Sequence, residues 1–353
     1  MSLVRAALNR KRFASLFKIL SSLNANLEVI NPPKKPVLNP NRIFKKINDQ
    51  LTICRMDASD MHYAMSTWSL QEKWTPTQHT IEPFLAADTN GYYMLFADNE
   101  PVGSLAAICY HQLKLAFLGL FLVDKNHRQK GYSKILWDNI VPDIQQQGYT
   151  LGLNASPYAS LATPKFYEKL GFKEAHTDQA WQLTENKPLT APDMPQGCEI
   201  VAIETDELLD QVVAYDSRIF GQERKDFISR WMMKPDTFTF AALTNGKVTG
   251  YIVASLRVLP LEPDKKSYRI GALFADNEAC ASGLVYNALQ AVHEARPVVI
   301  DLPGNNIPVA SKVMQGYGFN FFYNSVHMFT DPALQTTNDE KVYGKSSLTI
   351  AHR

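Results

Sequence analysis

The stretch from Phe117 to Ser133, Phe-Leu-Gly-Leu-Phe-Leu-Val-Asp-Lys-Asn-His-Arg-Gln-Lys-Gly-Tyr-Ser, constrains this chain more than any other. Its apolar half reads as a buried strand, its basic half as a turn, and a helix follows from Lys134 through Trp137. A strand that feeds a helix N-terminus builds an anion site. The first-turn N–H groups have no partner inside the helix, and the dipole favours negative charge there. Arg128 and Lys130 add full charges, and Gly131 lets the backbone approach a phosphate closely. The stretch therefore predicts a pyrophosphate-bearing ligand. A Walker A loop is excluded because its first glycine is missing. A dinucleotide fingerprint is excluded because only Gly131 of its three glycines is present.

The remaining sequence sets the setting for that loop. The 353 residues suffice for two domains, and 45% apolar against 20% charged residues allows substantial cores. A net charge of +1 gives no electrostatic reason to expect a nucleic-acid partner. No apolar run approaches the roughly 18 residues of a membrane span. Cys54, Cys109, Cys198 and Cys280 form no Cys-x-x-Cys pair, so neither a zinc site nor a disulfide framework is expected, and no other metal. A reducing compartment fits, with the cytoplasm as the expected location.

Residues 1–49 differ in character. Arg5, Arg10, Lys11, Arg12, Lys18, Lys34, Lys35, Arg42, Lys45 and Lys46 face only Glu28 and Asp49. Leu3, Val4, Ala7, Leu8, Phe13, Leu16, Phe17, Leu20 and Leu23 recur at helical spacing. A basic amphipathic helix is predicted, ended by Pro32, Pro33, Pro36 and Pro40. Such a helix targets an organelle, lies on a membrane surface, docks a partner or packs on the domain after it.

From Leu51 onward the pattern alternates. Strands are expected at Leu51–Arg55, Tyr92–Ala97, Val102–Tyr110, Leu115–Val123 and Tyr149–Asn154, and short ones at Phe172–Ala175 and Ala180–Leu183. Helices are expected at Ser59–Gln71, between Thr77 and Ala87, after Gly131, and at Ser160–Leu170, with Gly171 as a left-handed C-terminal cap. The order is β-α-α-β-β-β-α-β-α-β-β, an α/β domain with a mixed sheet.

What remains of the loop is Arg128-x-x-Gly131-x-Ser133. This pattern resembles the acyl-CoA pyrophosphate loop of the GNAT superfamily of N-acyltransferases, Gln/Arg-x-x-Gly-x-Gly/Ala, with Ser133 at its last position. The element order from 50 to 190 resembles a GNAT domain, and Lys165-Phe166-Tyr167-Glu168-Lys169-Leu170-Gly171-Phe172 resembles the superfamily's second signature. Trp74-Thr75-Pro76, Gly91-Tyr92-Tyr93, Glu100-Pro101-Val102-Gly103-Ser104 and Phe117-Leu118-Gly119 look like a narrower group. In that group a GNAT domain precedes a second, atypical acetyltransferase-like domain.

The second half fits that expectation. After a proline-rich linker, strands are predicted at Ile200–Ala202, Thr237–Leu243, Val248–Val258, Tyr268–Phe274 and Val298–Leu302. Helices are predicted at Leu208–Phe220, Arg224–Met233, Ala279–Ala295 and Ile307–Tyr317. Lys165–Phe172 realigns on Lys312–Phe319, and Asn154 on Asp301, each at an offset of 147 (312 − 165, 301 − 154). The expected fold is two tandem GNAT-like α/β units with mixed, mostly antiparallel sheets and a basic N-terminal helical extension. The expected boundaries are 1–49 extension and linker, 50–187 acyl-CoA-binding domain, 188–197 linker, 198–335 degenerate GNAT-like domain and 336–353 tail.

The resemblance implies an N-acetyltransferase that uses acetyl-CoA or another acyl-CoA as co-substrate, with a small-molecule or peptide amine as acceptor. It implies that the strand end Phe121-Leu122-Val123 pairs with the pantetheine arm. Arg128, Gln129, Lys130, Gly131, Tyr132 and Ser133 would then hold the pyrophosphate, and Asn154 would bond the pantetheine. Tyr167 would donate a proton to the leaving thiolate, and Lys169 would reach a CoA phosphate. Glu72, His79, His111 and Asp57 are the candidates for a general base. The competing expectation is a non-catalytic CoA-binding or partner-binding module on the same fold. In the second unit Asn277-Glu278-Ala279-Cys280 replaces the basic loop and Met314 replaces Tyr167. That unit is expected not to bind acyl-CoA but to shape the acceptor cleft, with Asp216, Arg218 and Arg224 as contacts. The oligomeric state is left open.

Overall fold

The computed structural model describes residues 33–69, 71–72, 74, 78–156, 163–259, 262–293, 295–331, 338–348 and 351. The predicted N-terminal helix, Thr75 and Pro76, and the first turn of the helix predicted from Ser160 lie outside the described residues. The first unit runs β1 (Ile43–Lys46), β2 (Leu51–Arg55), α1 (Ala58–Tyr63, continued by a π turn over Ala64–Ser69), α2 (Ile81–Ala87), β3 (Tyr92–Ala97), β4 (Glu100–Tyr110), β5 (Leu115–Val123), α3 (Tyr132–Gln146), β6 (Thr150–Ala155), α4 (Pro164–Glu168) and β7 (Lys173–Leu183). The second runs β8 (Cys198–Ala202), α5 (Asp206–Phe220), α6 (Lys225–Met232), β9 (Thr237–Thr244), β10 (Lys247–Leu259), β11 (Glu262–Ala275), α7 (Glu278–Ala291), β12 (Val298–Leu302), α8 (Ile307–Gly316) and β13 (Asn320–Phe329). A short strand, β14 (Val342–Gly344), follows.

Each unit keeps the predicted alternation of strands and helices, with β1 and β13 added to it and two expected strands merged as β7, but the strands do not form two sheets. They form one sheet of 14 strands, in the order β1-β2-β3-β4-β5-β6-β13-β7-β12-β11-β10-β9-β8, with β14 against β11. The units have exchanged their last strands. β13 pairs with β6 of the first unit, and β7 pairs with β12 of the second. β7 and β13 then pair antiparallel with each other, Tyr323 opposite Ala180, Ser325 opposite Asp178 and His327 opposite His176. The offset of 147 found in the sequence relates the two sides of this ladder. It carries Asp178 onto Ser325 (178 + 147 = 325), its own cross-strand partner, so a local two-fold passes through that pair.

One face of the sheet carries a core that spans both units, built from Met61, Trp68 and Phe84 of the first and Phe220, Phe227 and Trp231 of the second. Phe84 stacks on Trp231 with centroids 6.1 Å apart. The opposite face is divided: α3 covers the first unit and α7 with α8 the second. Cys198 and Cys280, distant in sequence, bring their Sγ atoms to 3.6 Å as free thiols.

The expected pair of short strands around Thr177 and Asp178 is one continuous strand, β7. The polar residues that read as a break are satisfied inside. Asp178 Oδ2 lies 2.6 Å from Lys345 Nζ, and Asp178 Oδ1 accepts the Gly304 N–H at 2.9 Å. His327 Nδ1 lies 3.0 Å from Lys345 Nζ and 2.8 Å from Asn154 Oδ1, and His327 stacks on His176 at 4.7 Å. The expected tail is also part of the fold, because β14 joins the sheet and Lys345 is fully buried. Within the expected extension, β1 pairs with β2, and Arg42 forms ion pairs with Asp57 and Asp60.

This cluster sets an acid limit on stability. Burial lowers the His327 pKa from 6.5 to about 3, and the charge of Lys345 adds to the shift, so the imidazole is neutral in the fold. An unfolded chain takes up that proton first, so the contribution is complete above the ordinary imidazole value of 6.5 and is lost as pH falls toward 3. Burial alone would raise the Asp178 pKa, but Lys345 and the two histidines hold it well below 3.8, so its contribution is lost at still lower pH. Urea unfolding should therefore show stability falling between pH 6.5 and 4. Lys345→Met removes the ammonium that offsets the burial of the Asp178 carboxylate and should cost about 3–5 kcal/mol at pH 7. A pH-independent wild type, or a Lys345→Met loss under about 1 kcal/mol, would contradict this account.

Candidate active site

β5 and β6 pair only from Leu115 opposite Thr150 to Leu118 opposite Leu153. β6 runs on to Asn154 and Ala155, which pair only on its other edge with His327 and Val326 of β13. Among the described residues Gly119–Val123 therefore have no partner strand on this edge, and a slot opens between β5 and β6. A bulge in β5 re-aims the backbone there: the register to β4 shifts between Ser104 and Ala106, and Leu120 takes a positive φ of 45°. Ser104 Oγ donates to the Leu120 carbonyl at 2.8 Å and fixes the distortion.

The loop closes one end of the slot. The Asp124 carboxylate accepts from Trp68 Nε1 at 2.9 Å and from the Asn126 N–H at 2.8 Å. Gln129 and Gly131 have φ values of 66° and 80°, the left-handed region that turns the chain into α3. A Cβ on Gly131 would meet nothing within 4 Å, so the backbone stands open to an approaching ligand. Gly131 is the N-cap of α3 and supplies no side-chain hydrogen bond, which leaves the first-turn N–H groups to bind an anion. Tyr132 and Ser133 are half-buried in that turn, while Gln129 and Lys130 are exposed.

Arg128 is placed differently from the expectation. Its guanidinium forms an ion pair with Glu72, and its Nε donates to the Val123 carbonyl at 3.2 Å. It thus ties the loop to the end of β5, and Glu72 reached it across 56 positions that no local pattern records. Asn154 likewise has both ends of its amide engaged, Oδ1 near His327 Nδ1 and Nδ2 donating to the Leu348 carbonyl at 3.3 Å. Its side chain joins the cluster on the local two-fold.

An aromatic wall flanks the slot. Phe121 lies 5.7 Å from Trp137, and Trp137 lies 6.4 Å from Tyr167, which also packs on Phe166 and Phe172. Trp137 links the strand end to Tyr167, a role that its mid-helix position did not signal. Tyr167 is 7% exposed, and burial raises its pKa, so the phenol keeps its proton throughout the physiological range. Lys169 caps the C-terminal end of α4.

None of the four base candidates stands free at the slot. Glu72 is paired with Arg128, and Asp57 caps α1. His111 bonds Tyr149 at the β4–β5 turn, the far end of the strand from the loop. Burial lowers the pKa of His79, which senses Asp236 and Lys234 of the second unit. The expected acceptor contacts Asp216 and Arg224 also belong to the interior. Arg224 donates to Asp216 through Nε at 2.8 Å and Nη2 at 2.7 Å, and through Nη1 to Ser346 Oγ at 3.0 Å. Arg218 lies over the Tyr215 ring.

The second unit has the same split, between β11 and β12 after Ile270 opposite Ile300. There the gap is filled: β14 pairs with β11, Gly344 opposite Leu273 and Val342 opposite Phe274. The helix end is filled too, because the Asn277 side chain accepts the Cys280 N–H at 2.9 Å. Glu278 lies 3.4 Å from Lys312, and Met314 is fully buried.

The comparisons with known proteins agree with this duplicated architecture. A model of the acetyltransferase (GNAT) family matches residues 56–172, and a model of an acetyltransferase (GNAT) domain matches residues 212–344. The holothin acyltransferase of Pseudoalteromonas sp. (strain SANK 73390) is 24% identical over 265 residues, covering 75% of this chain and 83% of that protein. A solved tandem GNAT protein from the clavulanic acid biosynthesis pathway superposes with a TM-score of 0.59 at 17% identity, covering 80% of this chain and 99% of that one. A GCN5-related N-acetyltransferase from Sphaerobacter thermophilus gives 0.55 at 12% identity, covering 86% and 98%. The chain belongs to the GNAT acyltransferases and carries two GNAT domains in tandem.

Proposed function

We propose that the first unit is an acyl-CoA-dependent N-acyltransferase, with acetyl-CoA as the default co-substrate and a primary amine of a small molecule or peptide as acceptor. The observation that carries this reading is the asymmetry of the two slots. Among the described residues the first has an unpaired strand edge beside a helix N-terminus with no side-chain cap, whereas the second has a strand in its slot and a capped helix. GNAT family members use acyl-CoA, and holothin acyltransferase, a distant relative, bears an acyltransferase name.

In this reading the pyrophosphate rests on the first turn of α3 and the pantetheine arm pairs with the free edge Phe121–Val123. The neutral amine attacks the thioester carbonyl, and a β5 N–H stabilises the oxyanion. The carbon–sulfur bond breaks as the tetrahedral intermediate collapses. Tyr167 gives its proton to the thiolate, and the nitrogen loses a proton to solvent. Burial keeps the phenol protonated until the thiolate forms beside it. With Glu72, Asp57, His79 and His111 engaged or remote, the proton leaves through water rather than to a dedicated base. None of the helices among the described residues is long and apolar enough to cross a membrane, and we place the reaction in the cytoplasm.

Incubation with acetyl-CoA and a metabolite or peptide extract should yield acetylated amines by mass spectrometry. Gly131→Glu, which puts an anion in the phosphate turn, should abolish them. Identical products from the two proteins would refute the catalytic reading. Tyr167→Phe should lower kcat by about 10²–10⁴-fold. It should change unfolding free energy by less than about 1 kcal/mol, because the hydroxyl has no partner among the described residues. Calorimetric titration of the full chain should give one CoA per chain, and two would show that β14 does not block the second slot.

A further inference from the structure

Cys198 and Cys280 are 82 positions apart in the chain, yet their Sγ atoms lie in contact at 3.6 Å. The fold brings them together at one end of the sheet. Cys198 is the first residue of β8, the outermost strand, and stands opposite Thr244 of β9. Cys280 lies in the first turn of α7, where its N–H donates to the Asn277 side chain. Thr249 Oγ1 lies 3.8 Å from Cys280 Sγ and 2.9 Å from Thr244 Oγ1, so hydroxyls line the sulfur pair on the sheet side. The segment leading into β8 packs on the same helix: a Cβ on Gly283, one turn beyond Cys280, would come within 2.7 Å of the Met194 sulfur. Acyl transfer at the first unit's slot uses neither thiol.

The two thiols are not equivalent. Cys198 is half-buried and Cys280 is fully buried, so an oxidant from solvent meets Cys198 first and finds Cys280 behind it. Burial raises the Cys280 pKa, Thr249 opposes the rise, Cys198 adds to it and Asn277 opposes it. A thiol held protonated and out of solvent resists direct oxidation, yet it can still react with a sulfur already in contact with it. The other two cysteines lack this arrangement. Cys54 is buried, and burial, with Asp88 adding to it, pushes the half-buried Cys109 up to about 11. Among the described residues neither has a second thiol beside it.

We propose that Cys198 and Cys280 form a reversible, hydroperoxide-sensitive dithiol whose disulfide clamps β8 to the first turn of α7. The Cys198 thiolate attacks one peroxide oxygen and the O–O bond breaks. Cys198 becomes a sulfenic acid, and the leaving oxygen takes up a proton to form water, or an alcohol from an organic peroxide. Cys280 then attacks the Cys198 sulfur. The S–S bond forms, the S–O bond breaks, and the departing hydroxide takes the Cys280 proton and leaves as water. Two thiols give up two electrons and two protons, and the peroxide is reduced by the same two electrons. The sulfurs need to close only from 3.6 Å to about 2 Å. A bond across 82 positions removes chain freedom from the unfolded state. Among the described residues β8 pairs with β9 alone, so the bond fastens the strand held by fewest neighbours. A reducing compartment keeps the pair open until an oxidant arrives and reopens it afterwards. Neither sulfur lies at the first unit's slot, so the chemistry is independent of acyl transfer there.

The test treats the reduced full chain with hydrogen peroxide, blocks the remaining thiols with N-ethylmaleimide in denaturant, and maps peptides by mass spectrometry without reductant. A crosslinked Cys198–Cys280 peptide is expected, with Cys54 and Cys109 alkylated, and dithiothreitol should return all four cysteines to the alkylated pool. The oxidised chain should melt at least about 4 °C above the reduced one. That difference should vanish in Cys198→Ser. Cys280→Ser keeps the outer thiol without its partner, so dimedone should trap a Cys198 sulfenic acid at least about fivefold more than in the wild type. Three results would each overturn the proposal: Cys198 and Cys280 as fully alkylated after peroxide as Cys54 and Cys109, an unchanged or lower melting temperature on oxidation, or equal dimedone labelling of the wild type and Cys280→Ser.

Discussion

The contact on which this architecture depends is the buried meeting of Asp178 with Lys345 and His327 at the local two-fold. Two charges are taken out of water there, and their attraction must offset a desolvation cost of several kcal/mol per ion. Replacement by apolar residues of equal volume is often tolerated at such sites, so net stability is a weak explanation for the pair. Register is a better one. A one-residue slip between β7 and β13 would send every side chain to the opposite face. Asp178 would then point away from Lys345 and His327 away from Asn154. The pair therefore discriminates the exchanged, in-register sheet from its neighbours.

From that junction the two halves diverge. Duplicated units related by a two-fold should present two equivalent slots, and the backbone keeps both splits. The C-terminal segment breaks the equivalence. It lays β14 along β11, donates the Lys345 N–H to the Asp301 carbonyl at 2.9 Å and sends the Lys345 ammonium into the junction. It goes on past Ser346, held by Arg224, to Leu348, held by Asn154. One segment thus fills the second slot and borders the first. A cation delivered by the chain itself satisfies the carboxylate at the centre.

What the sequence revealed follows from where each signal resides. The loop at Gly131 was legible because a positive φ, a strand before it and a helix after it are all local requirements. The repeat was legible because its offset is uniform along the chain. The strand exchange was not, since alternation within β7 or β13 shows that a strand exists and which face is apolar, never which strand lies beside it. β13 itself was missed because Asn324 and His327 interrupt its apolar pattern, and His327 is neutral and buried only in the company of Asn154 and Lys345. Arg128, Asp216 and Arg224 show the same limit for charges. Each reads as a binding group when its partner is invisible, and each is occupied once Glu72, the Asp216–Arg224 pairing and Ser346 are in place.

The exchange also explains why a chain with one open slot keeps two units. Without β13, β6 loses its outer neighbour at Asn154 and Ala155, where the slot begins, and becomes an exposed edge. Without β7, β12 suffers the same loss on the other side. The core on the shared face runs through residues of both units, so separating them would expose Trp68 and Phe84 on one side and Phe227 and Trp231 on the other. The second unit therefore supplies the strand that supports β6 at the first unit's slot. The filled slot has an Asn277 cap at its helix and β14 along its strand, where the first unit's slot is open.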